Sequence, residues 1–256
     1  MENYKSIISL LFIYYIVQVY PFIGLILIPV LIAYYFQKNK DLQILFVLIL
    51  IVGHVIWLIV FKVLQEVNSI NENIITILQR FGLIGYLILF ALFNLKSKPK
   101  FHFGFVGNLK RKIIMPFFFR GRKEESVLSF LITYLLIFFI LILINLYFKV
   151  VTIDLLIFIL FFSLVNAFLE ELLWRKYILE QMTNFYSGQT LLITSSLLFG
   201  IYHMSLGFSL IVCLAYAVGG FYMGGVALFS KGILSPFLMH FIVNILFVLL
   251  GIIPFY

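Results

Sequence analysis

The chain has 256 residues, 64% of them hydrophobic and only 11% charged, and its formal net charge is +8. Soluble domains are about half apolar and about a quarter charged, so this composition excludes an ordinary globular protein and points to an all-α, polytopic integral membrane helix bundle. Period-2 alternation is absent, which argues against a membrane β-barrel. In such a chain the basic surplus is a topology and lipid signal, and no nucleic-acid partner is expected.

Eight apolar spans are expected, near residues 6–36, 42–64, 73–95, 126–149, 153–183, 189–205, 207–229 and 232–252. The first is too long for a cleavable signal and is expected to be kept. Pro21 and Pro29 should kink it, tilt it or split it into two short helices. In the second span His54, beside Gly53 and near Trp57, has no partner motif and reads as a core residue. With no internal repeat or flexible linker, residues 1–125 (the N-terminal spans and a basic loop) and 126–256 (the motif-bearing helices) should form one integrated membrane domain. Cys213 is the only cysteine, so no disulfide framework exists.

With eight spans the loops alternate sides. One side collects Lys38, Lys40, nine basic residues from Lys96 to Lys123, then Arg175, Lys176 and Lys231, fourteen in all, against Lys5, Lys62, Arg80 and Lys149 on the other. The positive-inside rule then puts the large basic loop in the cytoplasm of a plasma-membrane protein and both termini outside. Aromatic residues interleave with the basic ones from 96 to 123. That pattern suits an interfacial segment on anionic lipid, and equally an ordinary cytoplasmic loop. His102, Glu124 and Glu125 read there as solvated polar residues.

The fifth span carries "NAFLEELLWRK", with Glu170, Glu171 and Arg175 inside an apolar run. Each such charge at a helix centre costs roughly 2.5–3.5 kcal/mol. Glu171 and Arg175 stand at i and i+4 in the favourable acid-first order and can pair. Glu170 points about 100° away, shares its face with Asn166 and Trp174, and has no basic residue at i+4. In the sixth span His203 follows Phe199 by one turn. Counted from the break near residue 186, Glu170 and His203 reach nearly the same depth on an antiparallel hairpin, where a carboxylate and an imidazole can hold a water. In the last span His240 and Asn244 share a face, with Gly219, Gly220, Gly224 and Gly225 upstream as a close-packing feature. Counting leaves His203 and His240 more than about 10 Å apart in depth unless a tilt or a dipping turn closes the gap.

Together "EELLWR", "FGIYH" and "HFIVN" fit EExxxR, FxxxH and HxxxN in order. This resembles the CPBP family of intramembrane proteases, which groups type II CAAX prenyl endopeptidases with bacteriocin-processing and bacteriocin-immunity proteins. The likeness covers about residues 126–252. It implies Glu170 as the base that activates a water, His203 as its helper, and His240 and Asn244 as stabilisers of the oxyanion. Glu171 and Arg175 would support the helix. Glu170, His203 and His240 with Asn244 suit a divalent metal such as Zn²⁺, and equally a metal-free, glutamate-activated water. The HExxH helix of many zinc proteases is absent. The leading expectation is an intramembrane endopeptidase acting on a membrane-associated peptide or protein, of CAAX type or in bacteriocin processing or self-immunity. Its competitors are a non-proteolytic membrane partner and an ion-coupled transporter. The transporter would need repeats and broken helices that the sequence does not display.

Overall fold

A computed structural model of the chain describes residues 4–67, 69–114 and 124–256. The protein is all-α. Its helices are α1 (Tyr4–Val19), α2 (Pro21–Gln37), α3 (Leu42–Gln65), α4 (Glu72–Arg80), α5 (Leu83–Ser97), α6 (Val127–Phe148), α7 (Ile153–Glu171), α8 (Glu180–Met182), α9 (Gly188–Tyr202), α10 (Leu210–Ser230) and α11 (Leu234–Leu249). A π-helical segment, Leu172–Leu179, joins α7 to α8, and a 3₁₀ turn, His203–Leu206, follows α9. Among the described residues, five helical runs are long and apolar enough to cross a membrane: 42–65, 72–97, 127–148, 153–182 and 210–230. Three shorter apolar helices accompany them, at 4–19, 21–37 and 234–249.

Local sequence explains the breaks. The long first stretch is two helices, because Pro21 starts α2 where a missing N–H costs nothing. Asp41 caps α3 by accepting from the N–H groups of Gln43 at 2.7 Å and Ile44 at 3.2 Å. Thr152 caps α7, accepting from Leu155 N at 3.2 Å, and Ser126 caps α6, accepting from Ser129 N at 3.0 Å.

The chain folds into two compact units that interleave in sequence, one of residues 1–60, 82–102 and 173–224, the other of residues 61–81, 103–172 and 225–256. In the first, the core is aromatic: Trp57, Trp174, Tyr14, Tyr86, Tyr202, Phe46, Phe90 and Phe199 are all buried. Tyr86 lies so close over Gly53 that a Cβ there would meet its ring at 2.3 Å. Gly24 of α2 similarly faces Val17 of α1, so α1 and α2 pack as a hairpin. A cavity of about 500 Å³ near its open end is lined by Ser6, Ser9, Tyr34, Lys38 and Asp41, among others.

In the second unit α11 packs against both α7 and α6, and α4 against α7, around Phe158, Ile159, Phe162, Leu246 and Leu249. Large apolar side chains on α6, such as Phe139, Ile140 and Ile144, stay exposed, as a lipid-facing helix requires. The described part of the basic loop is ordered. Strands β1 (Lys112–Ile114) and β2 (Glu124–Ser126) pair antiparallel, and residues 104–108 dock on the turn that leads into α11. Gly104 N donates to Lys231 O at 2.9 Å, Asn108 N to Ser230 O at 2.6 Å, and Leu234 N to Phe105 O at 2.8 Å. Residues 115–123 of the expected interfacial loop lie outside the described residues.

Candidate active site

The second unit gathers four of the motif residues. Glu170 and Glu171 close α7, and His240 and Asn244 sit one turn apart on α11, all at most 5% exposed. The imidazole of His240 reaches both carboxylates. Its Nδ1–H donates to Glu171 Oε1 at 2.8 Å, and its Nε2 lies 3.7 Å from Glu170 Oε2. Two buried acids in an apolar bundle are costly unless compensated, and an imidazole between them is suitable compensation. On the same face of α7 stand Asn166 and Ser163, at i−4 and i−7 from Glu170, both buried. Asn244 Nδ2, Asn166 Oδ1 and Ser163 Oγ are buried without a hydrogen-bond partner among the described residues. This is a polar strip inside an apolar core, with donors and acceptors still to be used.

His203 and Arg175 belong to the first unit. The Nδ1 of His203 lies 2.8 Å from the carbonyl of Phe199, which can only accept, so Nδ1 carries the proton and Nε2 is left as an acceptor in the neutral ring. Aromatic rings fix that imidazole. Tyr216 of α10 stacks on it at 3.7 Å and 11°, and Phe199 and Tyr202 meet it edge-on at 4.8 and 5.3 Å. Phe199 of the FxxxH motif therefore supplies both the carbonyl and a wall. Arg175, buried in the π-helical segment, holds its guanidinium 4.9 Å over the same Phe199 ring.

Three features escaped the sequence reading. The helix-dipole and capping signals of α7 do not announce a π-helix at Leu172–Leu179, a form that recurs at functional sites. Counting residues from Lys231 did not reveal that His240 bonds Glu171. Tyr216 is one of 15 tyrosines, and nothing in the sequence distinguishes it. Among the described residues no group of three or more His, Cys, Asp or Glu side chains is placed to hold a metal ion.

Residues 152–246 match the family model described as type II CAAX prenyl endopeptidase Rce1-like. The matched segment contains all three motifs and agrees with the resemblance they carry; α1 to α6 lie outside it. No curated protein and no solved structure matches the chain.

Proposed function

We propose that this chain, with its Rce1-like domain at 152–246, is a multi-pass intramembrane endopeptidase that cleaves a membrane-associated peptide or protein. The observation that supports it best is the buried Glu170–His240–Glu171 arrangement with Asn244 one turn along α11. Glu170 takes a proton from a water as the water's oxygen bonds to the scissile carbonyl carbon. The carbonyl π-electrons move to oxygen, and Asn244 Nδ2 donates to that oxyanion. His240 is a second donor when Nε2 carries a proton, with Glu171 on Nδ1 orienting the ring and supplying the counter-charge. Collapse expels the amine, which receives the proton from Glu170. His203 keeps the part the motif implies, accepting a hydrogen bond from the attacking water, and its fixed Nδ1–H tautomer suits an acceptor at Nε2. Every step runs on protein groups.

In orientation, the positive-inside rule favours the large basic loop on the cytoplasmic side; Ser6 and Lys38 line one cavity, which supports the start of α1 lying on the side of Lys38. The basic residues of 96–123 meet anionic lipid there.

Wild type and Glu170→Gln should be compared in cells by proteomics of membrane peptides, with and without chelator. Peptides cut only by the wild type are expected, and the chelator arm decides whether a metal takes part. Normal cleavage by Glu170→Gln would sink the mechanism. Full biological activity of Glu170→Ala would favour a non-proteolytic partner, and loss on chelation restored by Zn²⁺ would put a metal in the reaction.

A further inference from the structure

The cavity of about 500 Å³ in the first unit has a polar level and an apolar level. Its polar lining comes from helix ends: Ser6 at the start of α1, Tyr34 near the end of α2, Lys38 just past it, and Asp41 and Gln43 where α3 begins. Its apolar lining lies further along the same helices. Ile13 is seven residues past Ser6, Leu31 seven before Lys38, and Phe46 five past Asp41. Those steps amount to about 7–10 Å into the bundle. Phe46 is buried, with Phe90 and Phe185 each tilted edge-on to it at 5.7 Å, so the floor is preformed. Helix ends of a membrane bundle stand at the headgroup level, and the next turns stand among acyl chains.

The two charged groups of the cavity have opposite signs and are not spent on each other. Among the described residues neither Lys38 nor Asp41 enters an ion pair. The Lys38 Nζ stands 5.7 Å from the centre of the Tyr34 ring and brings three N–H donors. Asp41 Oδ1 accepts from the backbone N–H groups of Gln43 and Ile44. A carboxylate has about four acceptor positions, so half of its capacity remains. A cation and an anion side by side over an apolar floor suit a ligand that carries both charges and a hydrocarbon chain. The volume falls within the range of about 300–1,000 Å³ usual for small-molecule sites.

From this geometry we infer that the cavity binds an aminophospholipid, phosphatidylethanolamine. Its phosphate meets Lys38 and Ser6, its ammonium donates to Asp41, and the first segments of its acyl chains lie on Ile13, Leu31 and Phe46. Phosphatidylcholine carries the same charges but no N–H to donate to Asp41. Phosphatidylglycerol has no cation at all. The site lies wholly within the first unit, apart from Glu170 and His240, and the inference does not rest on the peptidase reading.

The test uses the full chain in detergent micelles and phosphatidylethanolamine labelled on one acyl chain, with binding read by fluorescence anisotropy. Unlabelled phosphatidylethanolamine, phosphatidylcholine and phosphatidylglycerol of matched chains compete, as does soluble phosphoethanolamine. Phosphatidylethanolamine should displace the probe at about tenfold lower concentration than the other two lipids. Phosphoethanolamine, which lacks the chains, should be at least about a hundredfold weaker than the lipid. Lys38→Gln should weaken phosphatidylethanolamine and phosphatidylcholine by about tenfold each and keep their ratio. Asp41→Asn retains the helix cap and removes the charge, and should bring that ratio close to one. Ser9→Trp, at an exposed lining residue, should fill the cavity and abolish probe binding.

Equal affinity of the wild type for phosphatidylethanolamine and phosphatidylcholine overturns the inference, as does a ratio unchanged by Asp41→Asn or an affinity unchanged by Lys38→Gln. Tightest binding of phosphatidylglycerol would make this a site for anionic headgroups, and the inference falls. Competition by phosphoethanolamine as strong as by the lipid would make the occupant a soluble phosphate ester. Displacement by a palmitoylated peptide, where phosphatidylethanolamine does not displace, would assign the cavity to peptide. Either result overturns it too. Should Asp41→Asn not fold, Asp41→Ser, which also caps, takes its place. The wild-type comparison of the three lipids decides without any variant.

Discussion

His240 and His54 are both buried in apolar helices, one in each unit, yet their surroundings differ in kind. His240 bonds Glu171, faces Glu170, and has Asn244 a turn away. His54 is fully buried, lies against Trp57 at 5.7 Å, and neither ring nitrogen has a hydrogen-bond partner among the described residues. Burial of an imidazole is therefore no mark of chemistry by itself. The mark is a set of convergent groups that can pass a proton or hold a charge. In His240 the ring is oriented by one carboxylate while a second waits at its other nitrogen. In His54 the ring fills volume beside an indole.

The largest effect that tests this contrast comes from Glu170. Replacing it by Gln keeps shape and removes the base, and should lower kcat about a thousandfold with the protein still folded. The rate of cleavage of a confirmed membrane peptide measures it. If Glu170→Gln cuts at more than a tenth of the wild-type rate, the second unit is no more a reaction centre than the surroundings of His54.

Next comes Asn244→Ala, which removes the proposed oxyanion donor and leaves the two carboxylates on His240. A loss of about 10²–10³ in kcat with little change in KM is expected. A change confined to KM would make Asn244 a ground-state contact. His240→Ala should be worse for stability, because it strands two buried acids. About 3–5 kcal/mol is the usual cost of breaking such a pair, read as a large drop in unfolding temperature in detergent.

Much of this was legible before the structure. Composition settles the helical membrane class, and charges that are expensive in lipid single out Glu170 and Glu171. Helical spacing puts His240 and Asn244 on one face. Tertiary facts were not legible. Spacing pairs Glu171 with Arg175 but says nothing of the His240 ring, which reaches Glu171 Oε1 from a helix 69 residues away. The first stretch was read as one span with a possible break. Only packing of Gly24 on Val17 shows that it turns back on itself.

A smaller effect is expected where the basic loop holds the turn before α11. Gly107 has φ +72°, and a Cβ there would meet Ser230 O at 2.7 Å and the Gly232 backbone at 2.8 Å. Gly107→Ala should cost about 1–3 kcal/mol through strain and displaced backbone. Lower thermal stability together with reduced cleavage would show that docking of residues 104–108 keeps the His240 helix in register. Wild-type stability would mean the loop adapts without cost.

The smallest effect belongs to His54. His54→Leu replaces a desolvated imidazole by an apolar side chain of similar volume beside Trp57. Removing a buried polar group that has no partner should leave stability within about 1 kcal/mol of wild type, or raise it. Cleavage should stay within about twofold, since nothing around His54 can exchange a proton with substrate. The informative measurement pairs the thermal unfolding midpoint with the rate on one peptide. A folded His54→Leu protein that has lost activity would bring His54 into the chemistry, and the line between the two histidines would have to be redrawn. A folded, active protein confines the reaction to the groups that meet at His240.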